Sequence, residues 1–245
     1  MSEIKTEAVQ IDAGDIQIDA HLAQPVGEGT YPGVIVIQEV FGVNNHIKDV
    51  TERFAKEGYL AIAPAIYQRQ APGFAVGYSA EDLAEGRKYK EQTKASELLN
   101  DIQSAINYLK SLPHCQGMLG CIGFCFGGHV AYLAATLPDI QATASFYGAG
   151  IATETPGGGE PTITRTKDIT GTIYAFFGTE DPLIPLEQVD QIEAELKKQN
   201  IPHRIFRYDG ADHGFFCDQR ASYNPTAAQD AWERVKGLFQ ETLKQ

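Results

Sequence analysis

The chain has 245 residues, 43% hydrophobic and 21% charged, with a formal net charge of −12. So acidic a balance argues against a nucleic-acid partner, which needs clustered Lys and Arg to neutralise phosphates. No apolar run approaches the roughly 18 residues that a membrane span requires, which argues against a membrane partner as well.

The N-terminal MSEIKTEAVQ lacks the apolar stretch of a secretory signal. A reduced, cytoplasmic setting with free thiols is therefore expected for Cys115, Cys121, Cys125 and Cys217, which show neither a CxxC pair nor a zinc-ligand spacing. The length suits one sizeable core, and no repeat or linker interrupts it, so a single domain over 1–245 is expected.

Apolar runs and helical patterns alternate along the chain. His21 falls early, on an expected edge strand. GVIVIQEVFG (33–42) is β-branched, short and stopped by Gly42, which predicts a buried strand. HIKDVTERFAKEGY (46–59) spaces Ile47, Val50 and Phe54 for a helix stopped at Gly58, and a strand follows to Pro64. After QRQAPGFAVGYSAED comes a helical stretch in two pieces, with Ile102, Ile106 and Leu109 as its apolar stripe. The strand GMLGCIGF, a helix from Gly127 to about Leu137 and the strand ATASFYG come next. A Gly-, Pro- and Thr-rich stretch (149–172) reads as a loop. Then TIYAFFG is a strand, PLEQVDQIEAELKKQN a helix, HRIFRYD a strand and PTAAQDAWERVKGLFQETL a closing helix led by proline. Such alternation implies an α/β fold with a mainly parallel sheet, because parallel strands need helical crossovers. Functional loops of such sheets gather beyond the carboxyl ends of the strands.

One of those strand ends carries GFCFGG (123–128). An isolated cysteine is usually a small packing residue. Here Cys125 stands between an apolar strand and a glycine-led helix, the setting of a nucleophile elbow, where the turn is sharp and small residues must flank it. A thiol left at a helix N-terminus is favoured as an anion. It then needs a base, and the base an orienting acid, in the chain order nucleophile, acid, histidine. GTEDPLIP places Asp181 just after a late strand, with Glu180 and Asp212 as competitors, and GADHGFF places His213 in a glycine-flanked loop after the last strand. The remaining histidines sit at helix starts, in a helix body or beside proline. Glu39, ending a buried strand, needs a partner or an exposed position, since an unpaired buried carboxylate is costly.

In QEVFGVN, QRQAPG, GFCFGG, FYGAG, GTEDPLIP and DHGFF, in that order from about residue 30 onward, the chain resembles the dienelactone hydrolases, or carboxymethylenebutenolidases, of the α/β-hydrolase superfamily. The resemblance implies an α/β-hydrolase fold with helices on both faces of the sheet. It implies Cys125 as nucleophile, His213 as base, Asp181 as orienting acid, and Glu39 as the carboxylate that holds the resting thiol and helps form the thiolate. It implies an oxyanion hole from the backbone N–H groups of Phe126 and Val40, and chemistry without metal or organic cofactor. Family members hold a substrate carboxylate with two arginines. The first falls near Arg87, where Glu85 matches equally well, and the second falls at Cys217, with Arg220 three residues on. Tyr147 is a candidate to line the pocket.

The function so implied is hydrolysis of enol lactones of the dienelactone type through a thioester on Cys125. The departures at Glu85 and Cys217 leave open a broader esterase or thioesterase with the same three residues. A catalytically silent ligand sensor on the same scaffold would not require all three. The expected partner is a small-molecule ester or lactone, and the expected assembly a monomer or small homo-oligomer.

Overall fold

A computed structural model describes residues 3–244. Its N-terminal strands β1 (Ile4–Asp12) and β2 (Gln17–Pro25) form an antiparallel hairpin. The crossover units follow: β3 (Tyr31–Ile37), α1 (Asn45–Lys56), β4 (Leu60–Pro64), α2 (Ala80–Glu91), α3 (Ala95–Ser111), β5 (Cys115–Phe124), α4 (Phe126–Ala134) and β6 (Ile140–Phe146). A 3-10 helix (Thr162–Asp168) precedes β7 (Thr172–Gly178), α5 (Leu186–Lys198), β8 (His203–Tyr208) and α6 (Pro225–Leu243).

The eight strands make one sheet in the order β1-β2-β4-β3-β5-β6-β7-β8. From β4 to β8 every pairing is parallel, and β1 and β2 run antiparallel at one end. This is the α/β-hydrolase fold. The period-2 geometry of a strand sends alternate residues to opposite faces. Accordingly Val34 and Val36 join the core that packs α1 and α6, while Ile35 and Ile37 join the core that packs α3 and α4. Both faces are covered, which is why these strands read as continuous apolar runs.

Three expectations needed correction. His21 lies on β2, which β1 covers, so it is not on an edge strand. The helix after Cys125 begins at Phe126 and ends at Ala134. The 149–172 stretch is not all loop: its 3-10 helix buries Thr162 and Thr166. Threonines in a Gly- and Pro-rich setting gave no helical period, so the burial comes from docking and not from pattern.

Candidate active site

The junction of β5 and α4 is built by close backbone approach. A Cβ on Gly123 would strike the Gly127 carbonyl, one on Gly127 the Gln38 carbonyl, and one on Gly128 the Phe146 carbonyl. Only glycine fits these three sites, which is the physical content of GFCFGG. Between them Cys125 adopts φ 55°, ψ −119°, a left-handed conformation that a non-glycine residue holds only when its surroundings enforce it. Its N–H donates to Phe146 O (3.0 Å), and its carbonyl accepts from Gly128 and His129, so the backbone is pinned on both sides. Cys125 is the N-cap of α4, where helix N–H groups favour an anion.

His213 and Asp181 come together from the loops after β8 and β7. His213 Nδ1 lies 2.7 Å from Asp181 Oδ2, and both side chains are buried. Asp181 Oδ1 accepts from Leu183 N (2.8 Å), which fixes the carboxylate's rotation. A carboxylate accepts only, so Nδ1 carries the proton, while Nε2 is buried with no hydrogen-bond partner. Burial alone would push the imidazole down, but the charge of Cys125 and the Asp181 hydrogen bond outweigh it and raise His213 to about 10. The competitors Glu180 and Asp212 are exposed.

Glu39 is buried at 1% exposure, and its Oε1 accepts from Arg220 Nη1 at 2.9 Å. The resemblance implied that Glu39 holds the resting thiol; the hydrogen bond it makes here is to Arg220. A guanidinium compensates a buried carboxylate far better than a neutral thiol can. Glu39 Oε2 is buried without a hydrogen-bond partner. Burial works against the Arg220 cation, and the Glu39 charge outweighs it, so the guanidinium is held more basic than usual. Arg220 also faces the rings of Phe41 and Tyr78 at 5.7 and 5.9 Å.

These groups meet in a cleft of about 1010 Å³ whose lining includes Cys125, Phe126, Val40, His213, Arg220 and Arg87. Arg87 is exposed and projects from α2 into the cleft. Among the described residues it makes no hydrogen bond or ion pair, whereas Glu85 is engaged with Lys88 and Tyr89. Phe126 opens α4, so its N–H has no partner inside the helix. The Val40 backbone is set by α2, because a Cβ on Gly86 would strike the Val40 carbonyl.

Tyr147 sits behind the histidine, not in the cleft wall. Its ring meets His213 edge-on at 5.1 Å, it is fully buried at φ 35°, and its hydroxyl has no hydrogen-bond partner. Burial and the Glu39 charge hold its phenol well above the usual range. Cys217 is also buried and donates to Tyr78 Oη (3.2 Å); burial, with the Glu39 charge, pushes its thiol up to about 11.

Sequence reasoning passed over Tyr78 and Gly86. Tyr78 offered no signal. Gly86 did, since glycine inside a helix costs roughly 1 kcal/mol and calls for a packing reason. Among the described residues, His46, Cys217 and Asp218 bring possible metal-ligand atoms within 4.8 Å of one another. Within that group Cys217 already donates to Tyr78 Oη, and Asp218 faces Arg53. No described helix is long and apolar enough to cross a membrane.

The model of the dienelactone hydrolase family matches residues 18–243, taking in β2 as well as the region of the quoted motifs. A Synechocystis protein provisionally named carboxymethylenebutenolidase is 60% identical over 99% of both chains. A Yersinia pestis protein of the same provisional name is 34% identical over 91% of this chain and 83% of its own. A crystal structure from Klebsiella pneumoniae, provisionally described as a dienelactone hydrolase, superposes with a TM-score of 0.88 at 30% identity, covering 98% of this chain and 99% of that one.

Proposed function

The chain belongs to the dienelactone hydrolase family and is a hydrolase of that kind, and we propose that it opens small enol lactones through a thioester on Cys125. The observation that carries this reading is the strained cysteine at a helix N-terminus, set in one cleft with a histidine whose Nδ1 is tied 2.7 Å from a buried aspartate.

In the proposed reaction the Cys125 thiolate attacks the lactone carbonyl and forms the C–S bond. The carbonyl oxygen becomes an oxyanion held by the N–H groups of Phe126 and Val40; such donors commonly contribute about 2.7–4 kcal/mol each. Collapse breaks the ring C–O bond, and the departing enolate takes its proton from His213. Water then attacks the thioester, giving a proton to His213 while the acid leaves and the thiol is restored. Asp181 keeps the imidazole in the tautomer both steps need. Glu39, already charge-paired through Oε1, keeps Oε2 free to relay the thiol proton to His213 Nε2 when substrate enters, so the proton that the enolate takes is the one the thiol lost. Arg87 binds a substrate carboxylate.

A second reading, hydrolysis of a wider range of activated esters or thioesters, is favoured by one observation. Arg220 is engaged by Glu39, and Cys217 stands where the family's second arginine falls, so the cleft offers a carboxylate fewer free cations than a two-arginine clamp. The deciding experiment compares cis- and trans-dienelactone with a neutral aryl ester, with Cys125→Ala as control. Cysteine-dependent turnover of dienelactone supports the first reading. Turnover of the aryl ester alone supports the second, and undiminished hydrolysis by Cys125→Ala overturns both.

A further inference from the structure

The segment between β6 and β7 has two sides with different work. Its front, at Ala149, Gly150, Thr153 and Glu154, lines the cleft. Its back, the 3-10 helix, docks on α4, the helix that Cys125 begins. The front and back are stitched by backbone bonds from Thr162 N to Glu154 O (3.0 Å) and from Ile163 N to Ile151 O (2.9 Å).

The dock is made by side chains one turn apart on α4. His129 Nδ1 lies 3.0 Å from Ala149 O and Nε2 lies 2.7 Å from Thr162 Oγ1, while Tyr132 Oη meets Thr166 Oγ1 at 2.6 Å. The Ala149 carbonyl can only accept, so Nδ1 carries the proton and Nε2 accepts from the Thr162 hydroxyl. The Thr162 hydroxyl also meets that of Thr155 at 3.0 Å. His129 thus ties front and back at once, with both ring nitrogens satisfied and the ring 1% exposed. A helix interior that needs only bulk does not place a histidine there, since burying its two polar atoms is unfavourable unless both are bonded.

We propose that His129 and Thr162 are positioning residues for substrate: they fix the wall 149–154 relative to Cys125, and that wall holds the part of the substrate beyond the reacting carbonyl. The role rests on Cys125 being the nucleophile. It predicts a division of labour. Disturbing the pair loosens the wall and weakens binding of substrates long enough to reach it, while the cysteine, its histidine and very small substrates are left alone.

The test uses Thr162→Val, which keeps shape and removes the hydroxyl, His129→Gln, and Thr162→Ser as the conservative rescue. Hydrogen exchange is expected to speed up in 149–156 and to stay unchanged in 120–126. KM for dienelactone, or for 4-nitrophenyl butyrate if the wild type does not open the lactone, is expected to rise about tenfold, the factor one lost buried hydrogen bond carries. The rate of iodoacetamide labelling of Cys125 and the turnover of 4-nitrophenyl acetate stay within about twofold, on the same hydrogen-bond scale. Thr162→Ser restores all values, and the double variant is no worse than the worse single one, as for a shared contact. Equal loss on acetate and on the larger substrate, together with slowed labelling, overturns the proposal and leaves the pair a support for the elbow alone. Unchanged exchange and unchanged KM overturn it too. Failure of the wild type on dienelactone counts against the lactone reading only, because the exchange data and the acetate–butyrate contrast stand without it.

Discussion

Replacing Arg220 by glutamine separates a structural ion pair from a free substrate cation. Glu39 is 1% exposed, and the Arg220 side chain 19%, so the variant would leave a buried carboxylate facing a neutral amide. Breaking a buried pair by removing one partner costs about 3–5 kcal/mol. Partial exposure of the arginine places this case at the lower end, about 3 kcal/mol. For a chain of this size that corresponds to a fall of about 6–12 °C in Tm. The assay is urea denaturation of wild type, Arg220→Gln, Glu39→Gln and the double variant. The double variant should recover much of the loss, because two neutral amides can bond to each other without a stranded charge. A cost below about 1 kcal/mol for Arg220→Gln, the range of a surface pair, would refute the reasoning. So would a double variant as unstable as the single one.

Further outcomes follow from the same geometry. Asp181→Asn removes the acceptor at 2.7 Å from His213 Nδ1, and kcat is expected to fall by about 10²–10⁴ with little change in KM, as when a histidine loses its tautomer. Gly86→Ala places a methyl against the Val40 carbonyl; about a tenfold or greater loss of kcat is expected as one oxyanion donor shifts, measured against an unchanged rate of Cys125 alkylation. Arg87→Ala is expected to raise KM for dienelactone about tenfold, the scale of a charge-assisted hydrogen bond, and to leave that of a neutral aryl ester unchanged. Because His213 is raised in the fold, from its ordinary 6.5 to about 10, its contribution to stability is complete below pH 6.5 and is lost as pH rises through 10. Urea midpoints between pH 6.5 and 10 should therefore decline, and Cys125→Ala should flatten the decline by removing the charge that raises the histidine.

Much of this molecule was already written in its sequence, because the physics involved is local. A strand buried on both faces must be apolar throughout, as GVIVI is, and a helix with one buried stripe must space it as Ile102, Ile106 and Leu109 do. The elbow was legible because its geometry admits only glycine at positions 123, 127 and 128. Chain order ranked Asp181 and His213 first, since each follows a strand at the functional end of a parallel sheet. Three features depended on residues far apart in the chain, and tertiary structure alone decided them. Glu39 and Arg220 are 181 positions apart, and only the sheet top brings them to 2.9 Å. Arg87, and not Glu85, lines the cleft because of the rotation of α2, whose Gly86 lies against Val40. The threonine-rich 149–172 stretch had no period to announce a helix; its order comes from His129 and Tyr132 beneath it. A residue type can announce what it does to its own backbone, but which distant partner satisfies a buried charge or a ring nitrogen is fixed only when the chain is packed.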